Sequence, residues 1–204
     1  ETIFYADKQG DAHYDTISAF IKSIRGSDAD AGLYYLARML KAGEDPVFVA
    51  RRLVVLASED VGNADPRALT IATSGLQAVE LIGMPEAAIN LAQVVTYLAS
   101  APKSNRSYMG LLKAQELVEK TGQLPIPKSL RSSKTKLSKS MGYGEGYRYS
   151  HNGPTGWLEQ RLLPEELGDV SLYEPASRGF EKSILEYQKW IRGQKADQKK
   201  QSDK

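Results

Sequence analysis

Between Ser58 and Leu69 the chain reads S-E-D-V-G-N-A-D-P-R-A-L, which puts Glu59, Asp60, Asn63 and Asp65 within seven residues. Oxygen ligands this close could hold a divalent cation or work as an acid and base pair. The spacing argues for something plainer. Consecutive residues on a helix point about 100 degrees apart, so Glu59 and Asp60 can share one ion only if the turn bends back. The alternating oxygen pattern of a calcium loop is missing. Each residue also has a structural use. Gly62 suits the left-handed position that ends a helix, Asp65 suits a cap, and Pro66 suits the first turn behind it. We read Glu59, Asp60, Gly62, Asp65 and Pro66 as a structural hinge, with Glu59 or Asp60 paired to Arg51 or Arg52. The alternative is a site in which Glu59 or Asp60 binds a cation or a partner's arginine, and its extreme form is a metal-dependent enzyme using Glu59, Asp60 and Asp65.

A second group is cationic. Lys128, Arg131, Lys134, Lys136 and Lys139 stand among serines and threonines, and Arg148 follows in Y-G-E-G-Y-R-Y-S-H. Cations with hydroxyl donors between them can follow a phosphate backbone, and Tyr143, Tyr147 or Tyr149 can stack on bases. The alternatives are a solvated surface loop for the cations and rings that staple the segment to the body. Lys128, Arg131, Lys134, Lys136, Lys139 and Arg148 are therefore candidate DNA-binding residues.

Other chemistry is thin. G-Y-G-E-G lacks the Lys-Ser/Thr ending and the preceding strand of a phosphate loop. The two histidines, His13 and His151, have no partner pattern for zinc or for a triad. The absence of cysteine excludes disulfides and thiolate chemistry. No catalytic residue, cofactor-binding residue or metal ligand is assigned.

Helices must position these groups. Asp15 can cap a helix carrying Ile17, Phe20, Ile21 and Ile24, which ends near Gly26. Ser27 or Asp28 caps a second with Leu33, Leu36, Ala37 and Leu40. Asp45 and Pro46 start a third, Pro66 a fourth through Leu76 and Val79 to about Gly83, and Pro85 a fifth. A sixth runs from about Asn105 to Thr121 and stops at Gly122. Short connections make successive helices antiparallel neighbours or stacked pairs. From Gly122 the chain becomes rich in Pro, Gly and cations and reads as an extended arm. Phe180, Ile184, Tyr187 and Ile191 then share one face of a last helix.

The expectation is an all-α fold: a helical bundle of stacked antiparallel pairs, with an extended basic and aromatic arm and a C-terminal helix. Residues 14–122 form the body, 123–193 the arm and the last helix packed on it, and 194–204 a disordered tail. Residues 1–100 hold 8 cations against 13 anions, net −5, while residues 101–150 hold 10 against 3, net +7. That asymmetry makes nucleic acid a candidate partner. No apolar run approaches the roughly 20 residues of a membrane helix, and the start lacks both signal-peptide features and Met. A soluble fragment of a longer chain is expected.

The sequence resembles the C-terminal region of the RarA/MgsA family of AAA+ ATPases, which includes the Werner-helicase-interacting protein. The resemblance rests on I-R-G-S-D-A-D-A-G-L-Y-Y-L-A-R-M-L from Ile24, G-E-D-P-V-F-V-A-R-R-L-V-V-L-A-S-E-D-V-G-N-A-D-P from Gly43, I-G-M-P-E from Ile82 and Y-L-A-S-A-P-K-S-N from Tyr97. L-P-I-P-K-S-L-R, G-Y-G-E-G-Y-R-Y-S-H, L-P-E-E-L and Y-E-P-A-S-R-G-F-E-K extend it almost to the end. The resemblance implies a homotetramerisation domain of a clamp-loader-like ATPase that acts in DNA replication, recombination and repair at stalled forks. It further implies that residues 1–13 end a preceding lid domain, and that ATP, Mg and DNA-stimulated hydrolysis belong to a separate N-terminal module. Expected partners are further copies of the chain, DNA, and replication proteins, in the cytoplasm at the nucleoid and with no membrane. The alternative is a stand-alone nucleic-acid-binding helical module using residues 128–148.

Overall fold

The computed structural model describes residues 10–202, with side chains described from Gly10 to Lys195. Those residues are helical without strands, as the patterning predicts. The helices are α1 (Asp11–Arg25), α2 (Ala29–Lys41), α3 (Pro46–Leu56), α4 (Arg67–Ile82), α5 (Ala87–Ser100), α6 (Arg106–Thr121), α7 (Lys136–Ser140) and α8 (Glu181–Ser202). They fall into two compact units: residues 1–110 with 173–185, and residues 111–172 with 186–204.

In the first unit the boundaries follow the punctuation. The Asp28 side chain accepts from the Ala31 N–H at the start of α2, and Asp45 accepts from Val47 ahead of Pro46 in α3. These caps satisfy amide donors that the first turn cannot pair internally. α1 starts four residues ahead of Asp15, with Gly10 at its cap position. Of the lid remnant expected over residues 1–13, residues 1–9 lie outside the described residues and 11–13 are helical.

α1 packs on α2, α2 on α5, and α4 on both α3 and α5. Phe20, Ile24, Leu53, Leu56, Leu91, Val95 and Leu98 fill the centre and are essentially solvent-free. α4 and α5 approach so closely that a Cβ on Gly75 would lie 2.5 Å from Val94 Cγ2. Only a residue without a side chain fits there.

In the second unit the segment from Gly122 carries only short helical elements before α8. Helical turns occur at Lys128–Leu130, Ser150–Asn152 and Glu165–Leu167, and α7 is capped by a Thr135–Ser138 capping box. That box is an S/T-type local signal masked by the Pro- and Lys-rich context. Tyr187 and Trp190 stack on α8, with ring centroids 5.6 Å apart. α8 runs through Ser202, past Gln194, where the sequence reading begins its tail. Its last stretch is rich in Lys, Gln and Ala, which are good helix formers. Residues 203 and 204 of that tail lie outside the described residues.

Candidate functional site

The acidic stretch proves to be the centre of a polar knot in the first unit. α3 does not stop at Leu56 but continues as one π turn over Ala57–Val61. A π turn inserts an extra residue per turn and changes which residues face inward. Asp60 is thereby buried, and its Oδ1 accepts from Arg25 Nε of α1 at 2.6 Å. Arg25 also stands 3.6 Å from Glu59 Oε1. Both carboxylates therefore address Arg25, and the expected pairing with Arg51 or Arg52 is replaced. The π turn, which no periodicity reports, is the reason. The hydrogen bond to Asp60 and the field of that carboxylate hold the Arg25 guanidinium above its ordinary value.

Gly62 has positive φ as expected, but at φ 52 and ψ −137 it leaves the left-handed helical region. Asp65 caps α4 by accepting from the Arg67 N–H, and its carboxylate also takes the Arg67 guanidinium at 2.9 Å and the Tyr97 hydroxyl at 2.5 Å. The Arg67 hydrogen bond, with help from Tyr97, lowers the Asp65 pKa, and the hydrogen bond to Asp65 raises that of Tyr97. Glu59, Asp60 and Asp65 thus each have named partners within the first unit. The three acids do not converge. Among the described residues no group of three or more His, Cys, Asp or Glu side chains is placed to hold a metal ion.

Two further segments close the knot. The backbone N–H of Ser104 donates to the Asp60 carbonyl at 2.7 Å. Lys103 folds back to donate to the Ala99 and Ala101 carbonyls at 2.9 and 2.6 Å, ending α5. Burial depresses its pKa, against the pull of Asp60. From far along the chain, Tyr173 accepts from Asn63 at 3.3 Å and Phe180 N–H donates to the Ala64 carbonyl at 2.8 Å. Glu181, 0% exposed, accepts from Ser104 Oγ at 2.7 Å and from the Ala176 N–H. Gly179 passes so close that a Cβ would lie 2.2 Å from the Ala64 carbonyl oxygen. Sequence reasoning missed Arg25, Ser104, Gly179 and Glu181. The available signal was Y-E-P-A-S-R-G-F-E-K, whose small residues and lone Gly before an acid suggest a tight approach.

The cationic candidates all lie in the second unit and divide by role. Arg131 is committed internally: Nε donates to the Ile126 carbonyl at 2.8 Å, Nη1 to the Tyr143 hydroxyl at 2.9 Å, and the guanidinium lies 5.0 Å from the centre of that ring. This cation–π contact ties the segment to itself, twelve residues apart in sequence. Arg148 donates to the Glu159 carbonyl at 3.1 Å and lines a cleft of about 910 Å³ with Arg161 and Lys195. Lys128, Lys134, Lys136 and Lys139 are exposed, as are Tyr147 and Tyr149 at 48% and 56%.

A family model described as "MgsA AAA+ ATPase C terminal" matches residues 26–192. The chain belongs to this family. Among its relatives, an uncharacterized AAA domain-containing protein of Mycobacterium tuberculosis is 50% identical over 87% of this chain and 39% of its own length. "Replication-associated recombination protein A" of Coxiella burnetii is 47% identical over 91% of this chain and 42% of its own. "ATPase WRNIP1" of Dictyostelium discoideum is 43% identical over 82% of this chain and 19% of its own. This member of the MgsA C-terminal family therefore spans about two-fifths of the length of these bacterial relatives. The knot segments at 58–67, 101–107 and 173–181 all lie inside the matched region. The 204 residues contain no G-x-x-x-x-G-K-S/T. Among the described residues no helix is long and apolar enough to cross a membrane.

Proposed function

We propose that this domain is the homotetramerisation part of a clamp-loader-like AAA+ ATPase acting in replication-associated recombination and repair at stalled forks. The observation that carries the reading is the pairing of a closed, capped helical body with large apolar side chains left at its surface, in a domain without a nucleotide-binding motif. Leu81 and Ile89 are 86% and 71% exposed, and α6 buries only Gly110. Apolar faces without an internal partner mark association surfaces. The recombination role rests on the names of the bacterial relatives. ATP and Mg would be handled by a module outside these residues, with hydrolysis stimulated by DNA. The assembly would work in the cytoplasm at the nucleoid, with DNA and replication proteins as partners. Light scattering at low and high salt tests the reading. A mass near four chains at both salts supports it, and a monomer throughout removes it.

A second reading has its own observation. Lys128, Lys134, Lys136 and Lys139 lie exposed within a short stretch, near exposed Tyr147 and Tyr149. On that reading residues 128–148 bind nucleic acid directly. Removing one lysine that neutralises a phosphate should reduce the salt slope of binding by about 0.7–0.9. Substitution of the four lysines by Glu should abolish binding, and unchanged binding would return them to solvent.

A further inference from the structure

Two exposed patches have matching chemistry. The first is the turn joining α4 and α5. Leu81, Ile82, Met84 and Ile89 are exposed there within nine residues, flanked by the exposed acids Glu80 and Glu86. The second surrounds α7, where Leu137 is 70% exposed and Met141 is also open, beside the exposed cations Lys136 and Lys139. One patch is apolar and acidic, the other apolar and basic.

We propose that the α4–α5 turn of one copy docks on the α7 patch of a second copy. The proposal rests on the homotetramer reading above and names the surfaces that make it. Charge complementarity picks the pair: like-charged turns would repel each other, and so would two α7 patches. The apolar side chains argue for a protein occupant over nucleic acid. A phosphate backbone gives no reward for covering Leu137 or Met141, and neither offers an aromatic face to a base. Each chain carries both patches, so every copy can make the contact twice.

The test is a charge swap in the full chain, read by light scattering across a concentration series, with far-UV circular dichroism to verify helicity. The variants are Glu80→Lys with Glu86→Lys, Lys136→Glu with Lys139→Glu, and all four together. All four residues are exposed, so folding is not at stake. Each double reversal should weaken association by about tenfold or more, and the fourfold variant should recover to within about threefold of wild type. Recovery is the outcome that unrelated surface damage cannot give. If wild type assembles into four chains and neither reversal shifts the equilibrium, the docking is wrong and the tetramer reading stands. If wild type is a monomer at every concentration, the tetramer reading itself falls and takes the docking with it. If Lys136→Glu with Lys139→Glu abolishes binding of a single-stranded oligonucleotide yet leaves assembly intact, the α7 patch serves nucleic acid and the docking is overturned.

Discussion

Truncating Glu181 should cost more stability than any other single polar change in the first unit. Its carboxylate is fully buried and accepts from Ser104 Oγ and the Ala176 N–H. A hydrogen bond to a charged group contributes about 1.5–3 kcal/mol, and a buried donor left unsatisfied costs about 1–3 kcal/mol. Glu181→Ala removes both acceptors, strands both donors and opens a void beside them. We expect a loss of about 3–5 kcal/mol. Glu181→Gln keeps the volume, and its amide can accept from Ala176 while donating to the Ser104 hydroxyl. Only the charge assistance is lost, about 1–2 kcal/mol. Urea denaturation followed by circular dichroism measures both, provided the slope with denaturant is unchanged. At about 2–4 °C per kcal/mol for a chain of this size, the Ala variant should melt on the order of 10 °C lower. A cost under about 1 kcal/mol for Glu181→Ala would refute the reasoning, because a satisfied buried carboxylate cannot be removed so cheaply. Equal costs for Ala and Gln would also refute it, by showing that hydrogen-bond geometry is not what matters.

Four other outcomes follow from the same geometry. Arg25→Ala leaves Asp60 buried without its partner and should cost about 2 kcal/mol, a value reduced by the half-exposure of Arg25, whereas Arg51→Ala should cost little; equal losses in urea titrations would contradict the assigned pairing. The lowered Asp65 pKa gives stability that is present above its unfolded value and lost as pH falls through the folded one, so wild type should lose stability more steeply than Asp65→Asn below about pH 4; parallel acid limbs in pH-dependent unfolding would be inconsistent with this. Gly179→Ala forces a Cβ onto the Ala64 carbonyl at positive φ and should destabilise by about 3 kcal/mol or more, visible as a drop in melting temperature. Gly75→Ala should cost about 1–3 kcal/mol through overpacking, and adding Val94→Ala should recover part of it; a double-mutant cycle without coupling would place the clash elsewhere.

The sequence and the structure agree where the determinant is local. Asp28 and Asp45 cap helices because a side-chain oxygen and a following turn suffice, and α2 to α6 start and stop within about two residues of their signals. The hydrophobic stripes of α1 to α5 mostly face inward, because helical spacing gathers them on one side, but Ala37 of the α2 stripe is exposed. The local part of the 58–69 turn was legible, since Asp65 accepts from the Arg67 N–H within its own turn. Its partners were not. Asp60 meets Arg25 only because a π turn changes its direction, and a 3.6-residue period carries no trace of one. Glu181 and Ser104 are invisible as a pair because nothing in either neighbourhood specifies the other. The cations were visible as a group, but their division was hidden, since nothing local showed that Ile126 and Tyr143 would come beside Arg131.

The chain leaves the first unit after Gly110 and returns at Tyr173. The bond between Ser104 and Glu181 therefore spans 77 positions, and that between Asn63 and Tyr173 spans 110. During synthesis, α1 to α5 can collapse around their own core long before these partners exist. Asp60 and Arg25 can meet early, yet Ser104 waits for a residue that the ribosome has not made. Closing so long a loop costs entropy that only the finished contacts repay. Residues 173–185 thus complete a unit whose other helices are made well before them, and a chain that stops short of them keeps those helices but lacks its clasp.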